Sequence, residues 1–503
     1  MKVLSADKIR EWDQYTISHE PVSSIELMER AARACVQWIE KTGYQEQHFN
    51  IFCGKGNNGG DGLAIARLLT ARKYPVKVFI LEFGHKGTDD FQVNLARLHE
   101  YPEVEIKFIQ SNDHFPSLDK DEIIIDALFG SGLNRGLEGV TAELVDHLNN
   151  TGCRVISVDI PSGLFVDRSS KGNKVIRADH TLAFQCYKPA FLVAENGPYT
   201  GDVAILDIGL HPDFYRIANA EMEMIDKEHV RSLYKPRNRF AHKGKFGHVL
   251  LIVGSHGKMG AAILTAKACL RCGAGLVTCH VPKSGYEIMQ SSVPEAMVIT
   301  DPNNSMITKI DEDLSKYNVI GIGPGIGTVR ETKQALQELF KTFQKPMVLD
   351  ADALNCLASE YKLIKQIPPG SILTPHPKEF ERWFGESKND FERIELARQK
   401  ANELNLVIIL KGHHTLVASP GGKLYFNSTG NPGMAKAGTG DVLTGVLSGL
   451  LAQGYSSFDA ALLGVYLHGL AGDLAAENFS EEGIIATDII NQLAQSFKIF
   501  NSN

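Results

Sequence analysis

Two α/β domains in tandem, each a largely parallel sheet covered by helices, are predicted by three features of this sequence. Short apolar runs alternate with stretches of helical period, the pattern of strands joined by helical crossovers. The alternation falls into two blocks, beginning near residues 48 and 248, with a polar and weakly patterned stretch at roughly 212–245 between them. In both blocks glycine-rich segments follow strands and open helices, the position at which a doubly wound sheet binds ligands. The chain has 503 residues, of which 43% are hydrophobic and 22% charged, the balance of a globular protein with room for two or three domains.

In chain order, helices are expected at Ala6–Ile17 and Ile25–Lys41, ahead of the first sheet. Its strands are expected at Phe49–Cys53, Val76–Leu81, Val104–Ile109, Ile123–Asp126, Val155–Asp159, Thr181–Phe184 and Val203–Leu206. Leu63–Arg72 and Asp89–His99 carry the helical period between them. The second block gives strands at His248–Val253, Leu276–Val281, Val319–Ile322, Met347–Leu349, Ile372–Thr374 and Val407–Leu410, and closing helices at 440–452, 458–478 and 487–497. There is no sequence repeat, so the two domains differ.

A formal charge of -7 without a long Lys/Arg run argues against a nucleic-acid partner. Charges interrupt the first residues, Met1 to Asp13, so they resemble neither a signal peptide nor a membrane span, and a cytoplasmic protein is expected. The eight cysteines are scattered; Cys269-x-x-Cys272 has no second such pair and lies in a helical pattern, which favours packing over zinc or redox use.

The first strand runs into Cys53-Gly54-Lys55-Gly56-Asn57-Asn58-Gly59-Gly60-Asp61-Gly62. This contains Gly-x-Gly-x-x-Gly, and a plain dinucleotide fingerprint would make Glu82 the ribose-binding acid. Asp61, at the start of the next helix, is poorly placed to cradle a pyrophosphate. Two other strand ends carry polar groups: Asp126, before Ala-Leu-Phe-Gly130-Ser-Gly-Leu-Asn-Arg-Gly136, and Asp159-Ile-Pro-Ser162-Gly163. Carboxyl ends of strands converge on one crevice, so Asn58, Asp126 and Asp159 can share a site. Oxygen ligands of low total charge suit a weakly held cation better than a transition metal.

In the second block, Ala437-Gly-Thr-Gly440-Asp441 runs into the apolar helical stretch from Val442. Free amides and the helix dipole favour an anion there. A carboxylate at that spot suits phosphoryl transfer, with Asp441 taking the proton of an attacking hydroxyl while the amides hold the moving phosphate. Four further segments should reach the same sheet edge: Gly254-Ser-His-Gly-Lys-Met259-Gly-Ala-Ala262, Gly321-Ile-Gly-Pro-Gly325-Ile-Gly327, Thr374-Pro-His376-Pro-Lys-Glu379 and Lys411-Gly412-His413-His414-Thr415. His413 and His414 lack a third ligand at metal spacing. From the residues alone, ATP- or ADP-dependent phosphoryl transfer to a hydroxyl is the reaction indicated.

The N-terminal motifs resemble the NAD(P)H-hydrate epimerase domain, also called the YjeF N-terminal domain, over residues 1–220. The resemblance implies a Rossmann-like three-layer sandwich. It implies that Asn57, Asn58, Gly59, Gly60, Asp61, Gly130, Ser131, Gly132, Leu133, Asn134, Arg135, Gly136 and Asp159 hold the hydrated dinucleotide. Asp159 is the candidate catalytic residue, and Asn58, Asp126 and Ser162 would surround a potassium ion. Residues 225–503 resemble the ribokinase-like superfamily and, within it, the ADP/ATP-dependent NAD(P)H-hydrate dehydratase, through the segments above together with Leu-Asp-Ala-Asp-Ala-Leu-Asn at 349–355 and Asn431-Pro-Gly-Met. There the resemblance places Ala262, Gly325, His376 and Asp441 on the hydrate, with Asp441 catalytic, and Lys411, Gly412, His413, His414, Thr415 and Gly440 on the nucleotide, which brings Mg2+.

The implied activity is bifunctional repair of hydrated NADH and NADPH: exchange of R and S epimers, then dehydration of the S form by phosphorylation and loss of phosphate. Small-molecule substrates and a homo-oligomer are expected, without nucleic acid or membrane. Two alternatives stay open. A vitamin or sugar kinase with a fused dinucleotide-binding domain would release a stable phosphoester, and a non-catalytic scaffold would bind dinucleotide without turnover.

Overall fold

The computed structural model describes residues 1–44, 47–82, 84 and 86–501. It divides into two compact units, one of residues 2–220 with 389–391, the other of residues 221–388 and 392–503 with Met1. No described helix is long and apolar enough to cross a membrane.

In the first unit the strands are β1 (Phe49–Cys53), β2 (Val76–Leu81), β3 (Glu105–Ile109), β4 (Ile123–Ala127), β5 (Arg154–Val158), β6 (His180–Phe184) and β7 (Asp202–Leu206). They form a seven-stranded sheet in the order β3-β2-β1-β4-β5-β6-β7, with every pairing parallel. Ile51 and Leu182 pack on one face with helices α1 (Ala6–His19), α2 (Ser24–Lys41), α3 (Asn57–Ala71) and α4 (Asp89–Leu98). Phe52 and Ile124 pack on the other with α5 (Gly139–Asn149), the alternation required of a sheet buried on both sides. Chain order reverses between β1 and β4, so the loops after these strands flank a crevice.

Helix α3 begins at Asn57, six residues before the Leu63 expected from periodicity. Three glycines and two asparagines in this stretch oppose a helix by propensity, by up to about 1 kcal/mol per glycine. Packing overrides them. A Cβ on Gly59 would lie 1.8 Å from the carbonyl oxygen of Gly54 and 2.7 Å from its carbon, so this turn approaches the loop below more closely than any side chain allows. Gly59→Ala is therefore expected to cost about 3 kcal/mol or more, since only backbone can give way. Thermal unfolding of the full chain, with epimer exchange and dehydration assayed in parallel, checks this: the N-terminal transition should fall and exchange be lost while dehydration persists.

The second unit contains β8 (Met222–Ile225), β9 (His248–Ile252), β10 (Leu276–Val281), β11 (Met297–Thr300), β12 (Val319–Ile322), β13 (Met347–Leu349), β14 (Ile372–Leu373), β15 (Val407–Leu410), β16 (Leu416–Ala418) and β17 (Leu424–Asn427). Their order is β8-β17-β16-β15-β14-β13-β12-β9-β10-β11. The β15-β16-β17 meander is antiparallel and the other pairings are parallel. Periodicity gave no signal for β8, β11, β16 and β17, and β8 lies within the stretch that looked like a polar connection. Val348, Ile372 and Val407 pack beneath α7 (Thr439–Ala452), α8 (Ser457–Phe479) and α9 (Ala486–Asn501), while Val249 and Val277 pack beneath α6 (Met259–Arg271). Cys269 and Cys272 are buried, and burial pushes both thiols up, consistent with packing rather than reactivity.

Candidate active sites

At the β1–β4 switch of the first unit lies a cavity of about 960 Å3. Asn57, Asn58, Asp61, Asp159 and residues 130–135 line it, so most of the residues expected to hold a dinucleotide do converge. Gly59 packs on Gly54, Gly60 would meet the Met28 sulfur, and Gly136 faces Asn173; none of the three lines the cavity. Glu82, the acid of the plain dinucleotide reading, is ion-paired with Lys55.

Asp159 follows β5 at φ 68, a left-handed conformation that costs a non-glycine residue roughly 1 kcal/mol or more and that accumulates at functional sites. Its amide donates to Leu182 O at 2.8 Å, which holds the turn. Lys188 is wholly buried, and its ammonium lies 2.8 Å from an Asp159 carboxylate oxygen. The sequence reading missed Lys188. Its signal was a lone lysine within Ala183-Phe-Gln-Cys-Tyr-Lys188-Pro-Ala-Phe-Leu192.

Asp126 is fully buried at the end of β4. One of its oxygens accepts from Ser162 Oγ at 2.6 Å and Leu128 N at 3.3 Å, the other from Ser162 N and Ser157 Oγ, both at 2.8 Å. Burial raises its carboxyl above the ordinary range against the pull of these bonds. Ser162 Oγ accepts from Phe129 N at 2.8 Å, and Asn58 lies against Gly130, so the three expected cation ligands gather around the 126–130 loop. The Asn58 side chain is buried with Nδ2 unpartnered.

In the second unit the switch falls between β9 and β12. The glycine loops after these strands are tied by Gly254 N donating to Pro324 O at 2.8 Å and Ser255 Oγ to Gly325 O at 2.6 Å. Helix α7 starts after Gly438, which sits at φ 92, and Asp441 lies in its first turn. Burial first, then the charges of Asp350 and Asp352 against the pull of Lys411, raise the Asp441 carboxyl to about 6.

Asp350, after β13, joins the parts: it accepts from Lys411 Nζ at 2.8 Å on one oxygen and from Thr444 Oγ1 at 2.9 Å on the other. Lys411 is thereby held beside Gly440, where a Cβ would lie 3.6 Å from its nitrogen. Burial opposes the Lys411 charge, but Asp350, Glu379 and Asp441 raise its proton affinity overall. The motif at 349–355 contained Asp350, yet sequence reasoning gave it no role. His376 caps the helix Pro377–Phe384, its Nδ1 accepting from Glu379 N at 3.3 Å, and its side chain is nearly half exposed. Gly412 and His413 are exposed beyond β15, His414 Nδ1 lies 3.1 Å from Asn427 O, and Thr415 Oγ1 donates to Gly412 O at 3.2 Å. Ala262 is fully buried in the core of α6, apart from the surface groups.

The arrangement presents a carboxylate of raised proton affinity at a helix N-terminus, beside a lysine and a glycine-lined edge, which is the equipment of phosphoryl transfer to a hydroxyl.

Family comparison agrees with both halves. The NAD(P)H-hydrate dehydratase family model matches residues 249–495, and that of the YjeF-related protein N-terminus matches residues 24–190. The bifunctional NAD(P)H-hydrate repair enzyme of Moorella thermoacetica is 35% identical over 510 residues, covering 98% of this chain and 96% of that protein. That of Escherichia coli is 34% identical, covering 97% and 92%. A solved structure of a hypothetical protein from Streptococcus mutans is 30% identical with a TM-score of 0.50, and covers 56% of this chain and all of its own.

Proposed function

Because the chain belongs to the family of bifunctional NAD(P)H-hydrate repair enzymes, we propose that residues 1–220 interconvert the R and S hydrates of NADH and NADPH, and that the unit from residue 221 onward dehydrates the S form at the expense of ADP or ATP. The observation that carries the second activity is Asp441, raised to about 6 in the first turn of α7 and flanked by the Asp350–Lys411 pair.

Hydroxide is a poor leaving group, so loss of water from the ring needs activation. Asp441 removes the hydroxyl proton as the oxygen attacks the terminal phosphorus of the nucleotide, and the bond to the departing nucleotide breaks. The ring nitrogen lone pair then expels phosphate, and loss of a proton from the adjacent carbon restores the dihydronicotinamide. The free amides of α7 stabilise the moving phosphoryl group, with Lys411 beside them. Mg2+ entering with the nucleotide supplies charge neutralisation along its phosphates.

In the first unit the cavity takes the hydrated dinucleotide, with Asp159 as a proton-transfer group. The donor set Asn58, Asp126 and Ser162 offers one carboxylate and otherwise neutral oxygens, and no group of three His, Cys, Asp or Glu able to hold a metal occurs among the described residues. This chemistry fits potassium rather than a dication. When bound, the ion supplies a counter-charge to buried Asp126.

Incubating the protein with NADH hydrate and ADP or ATP tests the reading, with the absorbance of the reduced ring and the epimer ratio followed together. Stable phosphoester without reduced ring would mean a kinase; binding without turnover would mean a scaffold. Since the base must be ionised, the chemical step should fall about tenfold per pH unit below about 6 and level off above it. Single-turnover rates across that range check the sign; a rate that rises as pH falls would remove Asp441 from the role of base.

A further inference from the structure

Asp13 on α1 lines the same cavity as Asp61 and Asp159, on a helix in which no sequence motif occurs. Its neighbours include the Asp159–Lys188 ion pair. We propose that Asp13 is the second proton-transfer group of the epimerase site, acting on the hydrated ring together with Asp159. The inference rests on the epimerase reading above and deepens it.

The reaction requires two such groups. Reduced nicotinamide is an enamine, and its hydration places the hydroxyl on the ring carbon bonded to nitrogen. Epimer exchange at that carbon needs no oxidant or co-reactant. A base removes the hydroxyl proton, the carbon–nitrogen bond breaks with its electron pair going to nitrogen, a carbon–oxygen double bond forms, and an acid protonates the nitrogen. Rotation about the neighbouring carbon–carbon bond presents the other carbonyl face. The nitrogen then attacks, and both protons return to their donors.

Asp159, held by the buried Lys188 ammonium, serves as the carboxylate that takes the hydroxyl proton, while Asp13 serves the nitrogen. Burial, then the Asp159 charge, offset in part by Lys188, raise Asp13 to about 7, so at neutral pH it is available in both protonation states. The remaining charged groups lining the cavity are Arg10 on the same helix, Lys55, Asp61, Lys86 and Arg135. Asp61 is held well above the ordinary carboxylate range by burial and then by Asp159, Asp13 and Asp90.

The test uses the full chain and compares epimer exchange in wild type, Asp13→Asn and Asp13→Glu. The Asn variant should lose about 10²- to 10⁴-fold in kcat with little change in KM, and Glu should restore part of the loss. Dehydration of the S epimer should be unchanged in both. The wild-type exchange rate should show an ionisation near pH 7 that is missing from the residual rate of Asp13→Asn. Exchange by Asp13→Asn within about twofold of wild type would overturn the proposal, and so would a wild-type profile that is flat through neutrality, a measurement that decides even if the variant fails to fold. Failure of the epimerase reading looks different: wild type itself would not exchange the epimers above the spontaneous rate.

Discussion

Asp441→Asn is expected to lower nucleotide-dependent dehydration of the S hydrate by about 10²- to 10⁴-fold, the usual consequence of removing a positioned general base. Epimer exchange should stay at its wild-type rate, since the groups assigned to it lie in the other unit. The variant should not be less stable. Asp441 is raised from 3.8 to about 6 by burial and by Asp350, so the folded state disfavours its charged form. Its ionisation then costs wild-type stability on the order of 1–3 kcal/mol at pH values above both, a cost that grows as pH rises from the unfolded value through the folded one. Asn keeps the shape and removes the charge, so at pH 8 the C-terminal unit should unfold at the same temperature or higher. A stable, inactive variant is the signature of a group kept for chemistry at the expense of folding. Near-wild-type dehydration by Asp441→Asn, or a large drop in its unfolding temperature, would contradict the assignment.

What the sequence disclosed and what it hid follow from the kind of signal each residue carries. Glycine loops after strands announce themselves, because a close backbone approach restricts the residue types allowed there; the loops were located in this way, while the strand order that makes two switch points of them comes from the fold. The central strands were equally plain, since a sheet covered on both faces needs unbroken apolar runs. The start of α3 was not, because Asn57 to Gly62 resembles a turn by local propensity, and only the 1.8 Å approach of Gly59 to Gly54 explains why it is helical. The strands Met222–Ile225 and Leu416–Ala418 are short and take their identity from the meander and its neighbour rather than from their own composition. Asp13, Lys188 and Asp350 were hidden for another reason. Each is a single charged residue in an otherwise ordinary segment, and its importance comes from what tertiary folding sets beside it: Asp159 for the first two, Lys411 and Thr444 for the third.

Asp126→Asn should slow epimer exchange, abolish its response to potassium and leave dehydration of the S epimer unaltered. The carboxylate accepts the Ser162 amide and hydroxyl, the Ser157 hydroxyl and the Leu128 amide. An amide in its place turns one acceptor into a donor. The serine hydroxyls can rotate to accept from it, but the backbone N–H groups of Ser162 and Leu128 cannot reverse. At least one buried donor is then left facing another, which costs about 1–3 kcal/mol. The negative charge is also lost, and with it the reason for a cation beside Asn58 and Ser162. Burial pushes Asp126 toward its neutral form against the pull of its four hydrogen bonds, and an adjacent monovalent ion would add to that pull near a phosphate-bearing ligand. Exchange measured in potassium and in a bulky organic cation, for wild type and variant, separates the two effects: lost stability lowers both rates together, whereas lost ion binding lowers the potassium rate to the organic-cation level. A variant that exchanges at the wild-type rate and still responds to potassium would return Asp126 to a purely structural part in fixing the loop at 126–130.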